Sequence, residues 1–123
     1  MLDVSERASH PPNVRNADAI RCAGQIAAAA VAAAFTVPIG ELRATTRRPK
    51  QIAFARQSAM YLAHVAFGLS YTDVGRAFGR DRTTAAHACR MVEDRRVDPA
   101  LDARLALLEH LLRRSRGHRG VAA

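Results

Sequence analysis

The sequence predicts an all-α domain of about five to six helices, and three observations lead there. Apolar residues recur at three-to-four spacing in successive segments, the period of a helix face. Helix start and stop signals punctuate those segments: Ser70, Gly79, Asp81 and the pair Asp98-Pro99. The composition, 49% apolar and 24% charged with 5% aromatics and no Trp, asks for an aliphatic, Ala-rich core. At 123 residues the length supports one domain with a small core.

The chain is organised around Leu69–Arg96. Ser70 followed by Asp73 is a capping-box-like start. Val74, Ala77 and Phe78 share one helical face, and Gly79 ends that helix because Gly takes the left-handed conformation at little cost. Asp81 caps a second helix whose inner face is Ala85, Ala88, Cys89 and Val92. Arg82, Thr83, His87 and Arg90 lie on the other face. A short helix, a tight turn and a second helix with a polar, cationic leading end outline a helix-turn-helix.

The remaining elements follow in order. Residues 1–15 are polar, carry a His-Pro-Pro break and read as a flexible arm. The first helix starts near Asn16 or Asp18 and runs to about Ala34 through Ile20, Gly24, Ala27 and Val31. Between Arg21 and Glu41 lie 19 residues without a charge. That length fits a membrane span. Yet Ala is a weak membrane former, and Asp3, Glu6 and Asp18 stand where a signal peptide needs basic residues. A buried amphipathic helix is the reading. A short helix over Ile39–Ala44 follows, with Pro38 at its first turn.

Thr45–Ile52 places Arg47, Arg48 and Lys50 around Pro49 and reads as a basic loop, either an arm for phosphates and the minor groove or a solvated surface loop. Ala53 to about Phe67 is a buried helix, with Arg56 and Gln57 near its N-terminal end, where backbone N–H groups favour anions. Asp98-Pro99 opens a last helix whose Leu101, Leu105, Leu108 and Leu112, with Leu111 alongside, form an apolar stripe. The stripe reads as core, with a homodimer seam or partner dock as the alternative. Residues 116–123 read as a frayed basic tail, leaving 16–115 as the domain.

The formal charge is +8 and the pI near 11.1. All but one of the 19 basic residues are arginine; Lys50 is the exception. This balance points to nucleic acid or an anionic surface, and the planar guanidinium fork suits phosphate and guanine. Cys22 and Cys89 make no disulfide framework and suit a reducing cytosol. No phosphate-binding GxxxxGK[ST] loop, G-x-S-x-G, H-E-x-x-H or C-x-x-C occurs, and the five histidines are not paired at i, i+4. The expectation is no enzyme, no ATP site, no cofactor and no metal.

RQSAMYLA at Arg56, DVGRAFGRDRTT at Asp73 and HACRMVE at His87 resemble the C-terminal DNA-binding domain of the bacterial replication initiator DnaA. The weaker segment AAAAVAAAFTVPIGELRATTRR also fits the region leading into that domain. The resemblance covers about Ile20–Leu112 and implies a Trp-repressor-like helix-turn-helix fold reading a short asymmetric box on duplex DNA. It implies Arg48 in the minor groove, and Asp81, Arg82 and Thr83 on base edges with Thr72 nearby. Arg56, Gln57 and Thr84 would hold phosphates, joined by Arg47, Lys50 and His87. In kind this fits groove chemistry: a carboxylate accepts from cytosine N4, and a Thr methyl meets a thymine methyl. Asp81 reads equally as a pure helix cap.

Four departures from the family pattern stand out. Gly79 is alone where the family has two glycines, so the turn is one residue shorter. Arg82 replaces a His, Thr72 a Pro and His64 a Lys. These changes lie at or near the surface that would face DNA, and the expectation is that the reading edge, Gly79–Arg82, carries this chain's own specificity. The whole implies a cytoplasmic, nucleoid-associated DNA-binding protein without the initiator's ATPase module, a transcriptional regulator or replication-modulating factor. The competing class is a protein-interaction module that has lost DNA reading and docks through its Leu stripe. A cationic membrane-surface helix ranks last.

Overall fold

The computed structural model describes residues 14–43 and 50–122, with side chains described for 16–42 and 50–115. Among the described residues the regular elements are six helices: α1 (Val14–Phe35), α2 (Ile39–Arg43), α3 (Lys50–Phe67), α4 (Tyr71–Phe78), α5 (Arg82–Arg95) and α6 (Pro99–Ala122). No strand occurs among them. α3 is the hub, packed on α1, α2, α4, α5 and α6.

Small residues explain how the helices approach. Ala27, Ala28, Ala55, Ala59, Ala63, Ala66, Ala85 and Ala88 are all essentially solvent-free. Short side chains bring backbones close, so contact is dense although few large apolar groups are present. The larger fillers are Val31, Leu42, Met60, Leu62, Val74, Val92 and Leu105. Gly24 of α1 meets Ala77 of α4 so closely that an added Cβ would lie 2.8 Å from the Ala77 methyl. By length and composition Asn16–Phe35 is apolar enough to cross a membrane. In the fold its Ala23, Ala27, Ala28 and Val31 line is buried, with α1 packed against α3 and α4. About a third of the apolar stretch is buried in this way.

The structure alters several sequence expectations. Lys50, Gln51 and Ile52 belong to α3 and not to a basic loop. Pro disfavours helix for the residue before it but suits a helix start, so a Pro in the sequence just ahead of Lys50 is compatible with α3 beginning there. Arg47 and Arg48 lie outside the described residues, as does the N-terminal arm apart from its last two positions, where α1 starts. α6 continues as helical backbone through residues 116–122, the segment expected as a tail. The Leu stripe divides: Leu105, Leu108 and Leu112 are core, Leu101 is half-buried, and Leu107 and Leu111 are exposed.

One long-range clamp closes the bundle. Arg96, the C-cap of α5, donates to Asp102 Oδ1 (2.5 Å), Tyr61 Oη (2.8 Å) and Glu109 Oε1 (3.3 Å). Arg113 pairs with Glu109 (2.9 Å) and donates to the Val65 carbonyl (3.0 Å). Burial works against the Arg96 charge, but the bonds to Asp102 and Tyr61 outweigh it and hold its pKa above the ordinary guanidinium value. The end of α5 is thereby tied to both α3 and α6.

Candidate nucleic-acid interface

The site is built by three local caps. Ser70, extended at φ −67°, ψ 164°, accepts from the Asp73 N–H at 3.1 Å and starts α4. Gly79 ends α4 in the left-handed conformation, φ 68° and ψ 35°. Asp81 starts α5, its Oδ1 accepting from the Thr84 N–H at 2.8 Å. The Thr84 N–H and then its hydroxyl, both bonded to Asp81, hold that carboxyl below the usual range. Asp81 is therefore a working helix cap whatever else it does.

The short turn has a steric condition. The Arg80 N–H returns to the Gly75 carbonyl at 2.8 Å. A Cβ at Gly75 would lie 2.5 Å from the Arg80 carbonyl oxygen and 3.1 Å from the Asp81 carbonyl. The turn folds directly onto α4 where Gly75 leaves room. That close approach sets where α5 leaves the turn.

The first turn of α5 stands clear of the core. Asp81, Arg82, Thr83 and Thr84 are exposed, and His87 is exposed one turn further on. Thr72 is exposed in the first turn of α4, which packs on α5. Arg76, also exposed, pairs with Asp73 at 3.3 Å. On its inner face α5 buries Ala85, Ala88, Cys89 and Val92, as the sequence predicts. Its far end is braced by Arg95, whose guanidinium sits 4.3 Å from the centroid of the Phe54 ring.

The other sequence-predicted residues lie on α3. Lys50 and Gln51 are exposed at its start, and Gln57 is half-buried. Arg56 is half-buried and donates to the carbonyls of Leu42 (3.0 Å) and Glu41 (3.1 Å). A cation on the last carbonyls of α2 also meets the negative end of its dipole. Arg56 thus fastens the short helix that leads into the 44–49 segment. His64 donates from Nδ1 to the Leu69 carbonyl (2.7 Å) and stacks on Tyr71, centroids 4.5 Å apart. It joins the end of α3 to the start of α4.

Sequence reasoning missed the roles of Arg56, Arg95 and Arg96 in holding the fold, because each has a partner 14 or more residues away. The faint signal for Arg96 was its place just past the end of an amphipathic helix.

Comparison with known proteins decides what this module is. The family model described as the bacterial dnaA protein helix-turn-helix matches residues 25–92. The chain belongs to that family. Among similar proteins, the chromosomal replication initiator protein DnaA 1 of Protochlamydia amoebophila is 44% identical over 63 residues, 51% of this chain and 14% of its own length. The DnaA of Sphingopyxis alaskensis is 47% identical over 68 residues, 54% and 15% respectively. The DnaA of Bordetella pertussis is 45% identical over 69 residues. The chain thus spans about one-seventh of the length of the first two. The shared segment includes α3, α4 and α5 as far as Val92, and this helix-turn-helix module is not a catalytic one.

Proposed function

We propose that this chain binds duplex DNA sequence-specifically, at boxes like those of a replication initiator, and acts as a transcriptional regulator or replication-modulating factor in the bacterial cytoplasm. The observation that carries the proposal is the first turn of α5. Its cap is satisfied locally, its inner face is buried, and Arg82 and Thr83 are left exposed in a chain of formal charge +8. Membership in a helix-turn-helix family supports DNA binding. The replication association comes from relatives printed as chromosomal replication initiators.

In this reading Arg48, Thr72, Asp81, Arg82 and Thr83 read bases, while Arg47, Lys50, Arg56, Gln57, Thr84 and His87 hold phosphates. Arg82, where the family has His, favours guanine O6/N7 through its two-pronged donor fork. The test is a gel-shift series on initiator-box duplexes against scrambled controls at moderate salt, followed by selection from a randomised site. Preference for the box, or for a related selected sequence, is the expected result; equal binding of every duplex would remove specificity from the proposal. Arg48→Ala and Thr83→Ala should relax preference, with the Thr83 variant within about 0.5 kcal/mol of parental stability because the residue is exposed. Arg56→Ala should weaken all duplexes alike and lower the magnitude of the salt slope by about one, and, because Arg56 also fastens α2, should lower stability in a urea titration.

A second reading, docking of a protein partner or second copy on α6, is supported by the exposure of Leu107 (58%) and Leu111 (49%). Its test is the solution mass of the parent against a Leu107→Ser, Leu111→Ser variant. Leu101 and Leu105 are unsuitable probes, since Leu105 is core and Leu101 packs half-buried against it.

A further inference from the structure

The outward side of α6 serves neither the core nor the helix-turn-helix. Leu105, Leu108 and Leu112 are buried on the inner side. On the opposite side lie Ala103, Arg104, Leu107, His110, Leu111 and Arg114, all exposed. Leu107 and Leu111 stand four apart, so they meet on the surface as one apolar patch. Arg104 precedes the patch by three residues and Arg114 follows it by three. At 1.5 Å per residue the two arginines bracket the leucines across about 15 Å. The Arg104 guanidinium lies 5.4 Å from the centroid of the Phe35 ring, which holds it at that end. The family match stops at residue 92, so this face lies beyond it.

The charges of α6 are sorted by side. Its acidic residues are Asp102 and Glu109. Asp102 pairs with Arg96, and Glu109 with Arg96 and Arg113, away from the two exposed leucines. The outward face therefore carries no carboxylate: it is apolar at the centre and cationic at both ends. That order discriminates between occupants. An antiparallel pairing of two copies that lays Leu107 on Leu111 of the second copy sets Arg104 opposite Arg114. A parallel pairing sets each arginine beside itself. Both bring like charges together at the rim, which opposes association. A helix with carboxylates at the matching spacing places the opposite sign at both ends.

We infer that this face docks an acidic amphipathic helix of another protein, patterned acid-x-x-apolar-x-x-x-apolar-x-x-acid. Leu107 and Leu111 seat its two apolar residues, and Arg104 and Arg114 meet its end carboxylates. This rests on the docking reading of α6 above, narrows its partner, and is independent of DNA binding.

The experiment is fluorescence anisotropy of the full chain with a labelled helical peptide. The peptide is about 18 residues of Ala and Gln carrying Glu-x-x-Leu-x-x-x-Leu-x-x-Glu, long enough to hold a helix. A second peptide has Lys in place of both Glu. The Glu peptide should bind about tenfold more tightly, the worth of two exposed ion pairs gained against two like-charge contacts. Raising the salt should narrow that gap. A Leu107→Ser, Leu111→Ser variant should lose the Glu peptide. An Arg104→Glu, Arg114→Glu variant should reverse the preference, while Arg21→Glu, Arg90→Glu, an equal charge change at exposed positions elsewhere, should keep it. Equal effects of the two charge reversals, or no binding of the Glu peptide, overturn the acidic partner. If the parent is then a dimer that the Leu variant dissolves, docking on α6 stands with a second copy as occupant. If the parent is a monomer, the docking reading falls as well. Binding of phosphatidylglycerol–phosphatidylcholine vesicles through the same leucines, without the peptide, overturns the proposal in favour of a lipid surface.

Discussion

The inner face of α5 holds Ala85, Ala88, Cys89 and Val92, each 3% exposed or less, while its outer line holds Thr83, His87, Arg90 and Asp94, all in solvent. On the inner face the residues are fixed by their neighbours, since a close-packed core responds to a single methylene. On the outer line no neighbour constrains identity, so Arg82 or Thr83 can change with little effect on stability. Three of the four departures from the family's pattern fall accordingly, and His64, half-buried and bonded to the Leu69 carbonyl, is the exception. Arg82 and Thr72 are exposed, and the shortened turn is compatible with packing because Gly75 leaves it room. In the proposed function, specificity and stability fall on opposite sides of one helix, and substitutions should separate them.

The largest effect is expected at Gly75. An alanine there drives a Cβ into the Arg80 carbonyl, backbone that cannot yield like a flexible side chain. Gly75→Ala should cost about 3 kcal/mol, the upper part of the overpacking range, and shift the thermal midpoint down. A stable Gly75→Ala protein would show that the turn is looser than described. Arg96→Ala comes next. It strips bonds from Tyr61, Asp102 and Glu109 and should cost about 2 kcal/mol in a urea titration. If DNA affinity fell while stability held, the clamp would belong to the interface and not to the core.

Ser58 tests the inner side in the opposite direction. It is fully buried on α3 and its hydroxyl has no hydrogen-bond partner among the described residues. Ser58→Ala keeps nearly the same volume and removes an unpaired polar group, so it should stabilise by about 1 kcal/mol, measured by the same titration. An effect confined to alkaline pH, and absent at neutrality, concerns Cys89. Burial first, and Glu93 second, push its thiol from the ordinary value near 9 up to about 11. The folded state therefore holds the proton more tightly than the unfolded chain. Its contribution is complete below about pH 9 and is lost as pH rises to about 11. The parent should lose stability more steeply than Cys89→Ala across that window, and equal slopes would mean that the thiol is more solvated than its burial implies.

How far the sequence sufficed depends on where each residue's partner lies. Ser70, Gly79 and Asp81 were legible because a cap is satisfied within four residues of itself. The face Ala85–Val92 was legible because its period is that of the helix. The start of α3 was misplaced by three residues, since a run of cations around Pro49 looks the same before a helix as within a loop. The Leu-rich helix gave its core residues but not its boundary with solvent: Leu111 lies beside the stripe by spacing and outside the core by packing.

By itself, the sequence determined the helices, their caps, the helix-turn-helix and the likeness that the family match upholds, because all of these rest on local periodicity and short motifs. Tertiary structure alone decided three things. Arg56 fastens α2, Arg96 ties α5 to α3 and α6, and Gly75 makes room for the turn. Each depends on a contact made when distant elements pack, and no local rule encodes which distant carbonyl, ring or carboxylate a side chain will meet.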